Sequence, residues 1–414
     1  MLSHQTSHPA RLHPAETDEH TLPAGPVAAL AALEQWLCAR LIEREEAVHA
    51  ALIALIAREH LLLVGPPGTA KSLLVTLLAR AFVDTTGQPL PTFSYLMSRF
   101  TTLDDLFGPI SLPQLKQERY VRITRGRLAE ARLAFLDEVL RGSDASLEAL
   151  LTLMNERQFD NDGARLPVPL HCLFGATNSV NLPQNPEGKT GAVWDRFVLR
   201  VPVSYVQPGS FLTLLARPRS QGLPQPPTVP EADLRTLQEL CGQMTVPTEV
   251  YQALFRVRTA LLEKGIIISD RRWQQSVSVL QARALLAGRT HVELEDLRIL
   301  RLVLWQKLEQ QGEVARLLIG LVSPAESEIL EIEDQAESVL LLHREARQDA
   351  SLSEEARMKA AMEALARLKQ GFKRLEQVRQ RMQAQGHPSA PVEAALSAQH
   401  TRMLSIQETI VAGI

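Results

Sequence analysis

Lys71 and Ser72 close the stretch Gly65-Pro66-Pro67-Gly68-Thr69-Ala70 and lead into Leu73. That spacing is the layout of a phosphate-binding loop. Its glycines let the backbone turn tightly and aim N–H groups at phosphate oxygens. A helix starting at Lys71 adds its positive N-terminal end. Lys71 would reach the β- and γ-phosphates, and the Ser72 hydroxyl would hold Mg²⁺. The general pattern G-x-x-x-x-G-K-[ST] wants glycine where this chain has Ala70. Alanine costs almost nothing there if the backbone is right-handed helical, and roughly 1–2 kcal/mol if φ is positive. In both cases the ligands at Lys71 and Ser72 survive.

Two acids, Asp137 and Glu138, end the apolar run RLAFLDEV. A carboxylate pair at the tip of a buried strand is costly unless it serves a purpose. Asp137 is placed to hold Mg²⁺, directly or through water. Glu138 can take the proton of an attacking water. Asn178 ends LHCLFGATN. Its neutral amide would orient that water between Glu138 and the terminal phosphate; a turn-forming asparagine is the plainer alternative. Arg196, in WDRFVLR, keeps its charge at any pH and fits phosphate oxygens. It is a candidate arginine finger for a neighbouring copy, or else a surface partner of Asp195. Arg271 and Arg272, in ISDRRW, are candidates to touch a nucleotide from a second domain. Sequence barely separates the two.

These residues need a frame. Apolar strand-like runs fall at 61–64, 93–97, 132–139, 170–178 and 197–203, with helical patterns at 25–58, 72–82 and 143–155. Alternation of this kind predicts an α/β fold with a parallel sheet covered on both faces. The polar residues then lie at the C-terminal ends of strands, where ligands bind in open α/β sheets. Segment 107–125 reads as a loop and hairpin, and 159–168 as a hairpin. The expected organisation is a disordered tail over 1–24, an α/β core over 25–216 and a Pro-rich linker over 217–232. An all-α domain over 233–311 and a helical extension over 312–414 follow. In the extension Leu365, Leu368, Phe372, Leu375 and Met382 form a seam close to heptad spacing. It fits a helical hairpin or short coiled coil packed on its own chain.

The 414 residues suffice for two or three domains, and a hydrophobic share of 45% with 22% charged is that of an ordinary globular protein. A net charge of -3 excludes a general positive field for nucleic acid, though not a local patch. Three cysteines, widely spaced, fit neither a disulfide framework nor a metal site, and point to a reducing cytoplasm. No apolar run reaches the ~18 residues of a membrane span, and the first twenty residues have no signal-peptide core.

The motifs GPPGTAKS, YLMSRFTTLDDLFGP, AFLDEV, LLTLMNERQF, ATN, DRFVLR and SDRRW stand in this order. Together they resemble the MoxR family of AAA+ ATPases, within it the RavA-like branch, over about residues 25–310. The family commonly carries alanine in this phosphate loop, so Ala70 reads as a signature. By motif, the resemblance assigns Lys71 and Ser72 to Walker A, and Asp137 and Glu138 to Walker B. It gives Asn178 the sensor 1 place, Arg196 the arginine-finger place and Arg271 the sensor 2 place. It implies an αβα AAA+ core with a helical lid, ATP and Mg²⁺ as ligands, and a homo-oligomer, usually a hexamer. It further implies a chaperone-like remodeller of client proteins, often beside a von Willebrand factor A domain protein. RavA-like members typically continue into a helical and a small β domain, and the β module is expected to be absent or reduced here.

Two other functions compete. A nucleotide-gated scaffold would hydrolyse ATP only incidentally, and the presence of Glu138, Asn178 and Arg196 argues against it. A DNA-acting motor would use Lys116, Arg119, Arg122, Arg125 and Arg127 of the first hairpin. An ordinary surface of mixed charge is the simpler reading of those residues.

Overall fold

The computed structural model describes residues 24–178, 188–216, 225–349, 351–384 and 389–411. Helix α1 (Ala24–Cys38) and helix α2 (Glu45–Ala57) lead into strand β1 (His60–Val64), which carries the phosphate loop. Helix α3 (Lys71–Ala81), the two-residue β2 (Phe82–Val83) and β3 (Thr92–Leu96) follow, then the short helices α4 (Leu103–Phe107) and α5 (Leu112–Leu115). Next come β4 (Leu133–Asp137), α6 (Asp144–Glu156), β5 (Gln158–Asn161), β6 (Ala164–Pro167) and β7 (Cys172–Thr177). Helix α7 (Lys189–Arg196), β8 (Phe197–Pro202) and α8 (Pro208–Ala216) complete the first layer of the chain.

Five strands form one parallel sheet in the order β3-β4-β7-β1-β8. All five residues of β1 and all six of β7 are buried, as expected for central strands covered on both faces. The order matters for chemistry. It sets β7 between β1 and β4, pairing Val64 with Thr177 and Leu136 with Gly175. The C-terminal tips of these three strands therefore lie side by side, spanning about 10 Å at the usual strand spacing.

The region expected as one helical stretch over 25–58 is two helices, broken before Glu45. The segment expected as a linker is only partly loop. Residues 217–224 lie outside the described residues, but Val229–Pro230 forms β9, paired in parallel with β2. Val229 is fully buried, and that burial draws the chain back onto the core. Helix α9 (Glu231–Gln243) starts immediately after it. The expected tail lies outside the described residues up to residue 23, and Ala24 already belongs to α1.

β5 and β6 form an antiparallel hairpin, with Asp162 and Gly163 both at positive φ in its turn. The expected hairpin at 107–125 is instead helix α5 with a single bridge between Ile110 and Arg122. It clips onto the β5–β6 turn, where Asp162 accepts from Arg119 Nε and from the Tyr120 N–H.

Helices α10 (Thr248–Glu263) and α11 (Asp270–Leu286), with a 3-10 segment at Leu294–Leu302 and α12 (Gln311–Val322), form the helical domain. One apolar cluster runs unbroken from Leu30 through the sheet to Leu318, so core and helical domain share an interior. Two buried arginines fasten the seam. Arg200 of β8 packs against both Trp194 and Trp305, which meet edge to face, at 4.6 and 4.9 Å from the ring centres, and donates to Val303 O. Arg272 of α11 donates to the carbonyls of Phe197, Val198 and Val303 and pairs with Asp195 at 2.9 Å.

Helices α13 (Pro324–Gln348), α14 (Glu354–Ala384) and α15 (Ala390–Val411) pack on one another around two small apolar clusters. Leu368, Leu375 and Met382 of the sequence seam are buried there, with Leu365 and Phe372 half-buried beside them. The seam is covered by α13 and α15 of the same chain.

Candidate nucleotide site

The loop after β1 is held in place by its neighbours. The Gly65 N–H donates to Thr177 O, and Val203 N–H donates to Val64 O. A Cβ on Gly65 would stand 1.9 Å from Val203 O, so only glycine permits this approach. Ala70 has φ 64° and ψ 20°, the left-handed conformation. Of the two possibilities left open by the sequence, the strained one is realised, at roughly 1–2 kcal/mol. Thr69 is buried, and its hydroxyl donates to Pro66 O. Pro67, Gly68, Ser72 and Leu73 are exposed around the loop mouth, and Lys71 begins α3.

A residue that sequence reasoning missed braces this loop. Arg44 is buried between α1 and α2, and its guanidinium donates to Thr69 O, Ser204 O and Glu43 O at 3.0, 2.6 and 2.5 Å. It ties the phosphate loop to the segment leaving β8. No motif surrounds it in LIEREEAV, so nothing in the sequence distinguishes it from a solvent-facing arginine.

The Lys71 ammonium donates to Gly65 O and Pro66 O at 2.7 and 2.8 Å. Burial lowers its pKa, while the facing charges of Asp137 and Glu138 raise it. The lysine thus feels both acids of the neighbouring tip. Glu138 itself sits at φ 50°, and its N–H donates to Asp137 Oδ1. Its carboxylate accepts from Asn178 Nδ2 at 2.6 Å. Among the described residues, Asn178 Oδ1 is buried with no hydrogen-bond partner. Loop, acidic tip and polar tip converge, as the sheet order demands.

The arginines lie elsewhere. Phe197 pairs with His60, the first residue of β1, so Arg196 sits at the N-terminal edge of the sheet. The phosphate loop leaves the opposite edge, about 13 Å away along a five-residue strand. Arg196 Nε donates to Asn155 Oδ1 at 2.5 Å, and Arg271 Nη2 donates to the same oxygen at 2.8 Å. Arg271 is therefore beside Arg196 and remote from the phosphate loop of its own chain. The expectation that it would touch this chain's own nucleotide from the lid is not met. The alternative pairing of Arg196 with Asp195 is not met either, because Asp195 is taken by Arg272. Arg272, wholly buried, is a structural residue of the core–lid seam. Burial pushes its pKa down, and Asp195 opposes that shift.

The donor set suits magnesium and a triphosphate. Mg²⁺ keeps several waters and phosphate oxygens, so it needs few protein ligands. Ser72 and Asp137 are oxygen donors on the loop side of the sheet. Among the described residues no cluster of three or more His, Cys, Asp or Glu exists that would favour a protein-enclosed metal.

A parallel sheet with a lysine loop after β1, an acidic tip on β4 and a polar tip between them defines a P-loop protein of the AAA+ class. A family model for the MoxR domain of MoxR-vWA-beta-propeller ternary systems matches residues 28–242, and an AAA lid domain model matches residues 249–318. The chain belongs to the MoxR family of AAA+ ATPases. It is 34% identical over 307 residues to an uncharacterised protein of Methanocaldococcus jannaschii, covering 74% of this chain and 77% of that one. Chaperone MoxR1 of Mycobacterium tuberculosis is 27% identical over 228 residues, covering 52% and 55%. A solved structure from Cytophaga hutchinsonii, assigned provisionally as an ATPase, superposes with a TM-score of 0.58 at 19% identity, over 72% of this chain and 94% of that one. That likeness establishes the fold.

Proposed function

We propose that this chain hydrolyses ATP with Mg²⁺ as an oligomeric, chaperone-like remodeller of partner proteins. The observation that carries the proposal is the meeting of Lys71, Glu138 and Asn178 at three adjacent strand tips. Loop N–H groups and Lys71 bind the phosphates, Lys71 exchanging its carbonyl partners for phosphate oxygens. Ser72 and Asp137 hold the magnesium, which neutralises charge on the phosphate oxygens when bound. Glu138 takes the proton of the attacking water, and Asn178 aligns carboxylate and water.

Arg196 and Arg271, at the far edge of the sheet, serve the site of an adjacent copy. A ring, with the hexamer as the expected form, supplies such a neighbour. Both guanidiniums then stabilise charge on the transferred phosphoryl group. This arrangement moves Arg271 from a role within its own subunit to one between subunits.

The ternary system named by the matching family model supports a von Willebrand factor A domain protein as partner. The free cysteines and the lack, among the described residues, of a helix long and apolar enough to cross a membrane are in keeping with work in the cytoplasm. Placement in the RavA-like branch rests on the motifs alone. The DNA-motor reading loses support, since Arg119 and Arg122 are engaged by Asp162 and Asp104.

The test is client capture. Full-length Glu138→Gln protein, held with ATP, is expected to retain nucleotide, stay assembled and carry a partner through purification. Wild-type turnover in that variant would sink the proposal.

A further inference from the structure

We infer that Asn155 is a positioning residue that yokes Arg196 and Arg271 into one anion-binding fork, and that its neutrality leaves the fork's positive charge available to an anion. The inference rests on the proposed role of that pair toward a neighbouring nucleotide. Asn155 lies in the last turn of α6 in the core, and its single side-chain oxygen accepts from both guanidiniums, at 2.5 and 2.8 Å. One of these bonds stays within the core. The other crosses to α11, so the same atom sets the lid arginine against the core arginine.

Two like charges so close repel. Arg196 titrates below its ordinary value, first through burial and then through Arg271. A partly exposed pair of this kind swings apart unless something accepts from both. A carboxylate would do so more strongly, but it would cancel charge intended for phosphate. Nearby carboxylates have other partners: Asp195 pairs with buried Arg272 at 2.9 Å, Glu156 with Arg165 at 2.9 Å, and Glu59, whose charge burial disfavours, accepts from Gln275 Nε2 at 2.8 Å. A neutral amide oxygen therefore gathers the pair and leaves two positive charges unspent.

The experiment measures steady-state turnover and nucleotide Kd for the full chain carrying Arg196→Ala, Asn155→Ala or Asn155→Asp. Arg196→Ala reports on the underlying reading; turnover unchanged by it takes down that reading and this inference together. With Arg196→Ala inactive, Asn155→Ala is expected to lose roughly tenfold to a hundredfold in kcat, with Kd within about twofold. Asn155→Asp, the same shape with a charge added, is expected to fall at least as far. A merely structural asparagine would tolerate aspartate better than alanine. Asn155→Asp at or near wild-type kcat, or Asn155→Ala likewise, overturns the inference while the role of Arg196 stands.

Discussion

Asn178 donates its side-chain N–H to the Glu138 carboxylate across 2.6 Å, joining the tips of two adjacent strands. The bond fixes the carboxylate, while among the described residues the asparagine's oxygen stays buried and unpartnered. Removing the amide frees the base to rotate. Asn178→Ala is expected to keep nucleotide affinity and lose about 10²–10³-fold in turnover, within the range of a misaligned general base. Asn178→Asp should be worse at neutral pH, because it sets one carboxylate against another. Its pH–rate profile should recover activity only at altered pH. A single-turnover assay over pH 6–9 reads both variants, and wild-type rates in either would separate Asn178 from catalysis.

Ala70 makes the opposite kind of prediction, about stability. Its left-handed backbone strains any residue with a Cβ. Ala70→Gly is expected to raise stability by about 0.5–1 kcal/mol, the relief of strain being partly offset by the freer unfolded chain. Lys71 and Ser72 keep their places, so nucleotide affinity should not change. Chemical denaturation and ATP titration measure the two quantities; a clear loss of stability would mean alanine contributes something that strain does not capture.

The phosphate loop, the acidic tip and the polar tip were legible in the sequence because each joins a periodic apolar run to a polar end. The parallel sheet followed from alternation. The two-residue strands β2 and β9 carry no periodicity, so the return of Val229 to the core looked like linker. Arg44 was invisible because buried and exposed arginines share one letter. The edge occupied by Arg196 and Arg271 was equally hidden. Motif order nominates residues for a site, but strand direction and register say at which end of the sheet each one stands.

Register also separates the neighbours Arg271 and Arg272. Arg272 is fully buried, paired with Asp195 and bonded to three carbonyls of the seam. Arg272→Ala leaves half-buried Asp195 without its direct partner and three seam carbonyls without their donor, and is expected to cost on the order of 3 kcal/mol. Its loss of activity will follow its loss of fold. Arg271→Ala, at a partly exposed position, should change the melting temperature little while lowering turnover. Thermal melts beside turnover assays test the contrast. Equal destabilisation by the two changes would show that Arg271 too belongs to the seam.

A fourth prediction concerns Glu59, which sits at the same edge and accepts from Gln275 Nε2 at 2.8 Å. Burial pushes its carboxyl up to about 7, against the opposing pull of Arg157, Gln275, Arg271 and Arg272. The unfolded chain releases this proton near the ordinary carboxyl value of 4.5, whereas the folded chain keeps it until about 7. Between those values the folded state binds more protons, so this residue's contribution to stability falls as pH rises and levels off above 7. Glu59→Gln keeps an acceptor for Gln275 and removes the titration. It is expected to stabilise the protein above pH 7 by on the order of 1–3 kcal/mol, with little gain near pH 4.5. Melting temperatures of wild type and variant at pH 5 and pH 8 decide it: the gap between them should widen with pH, and a constant gap would place the proton elsewhere.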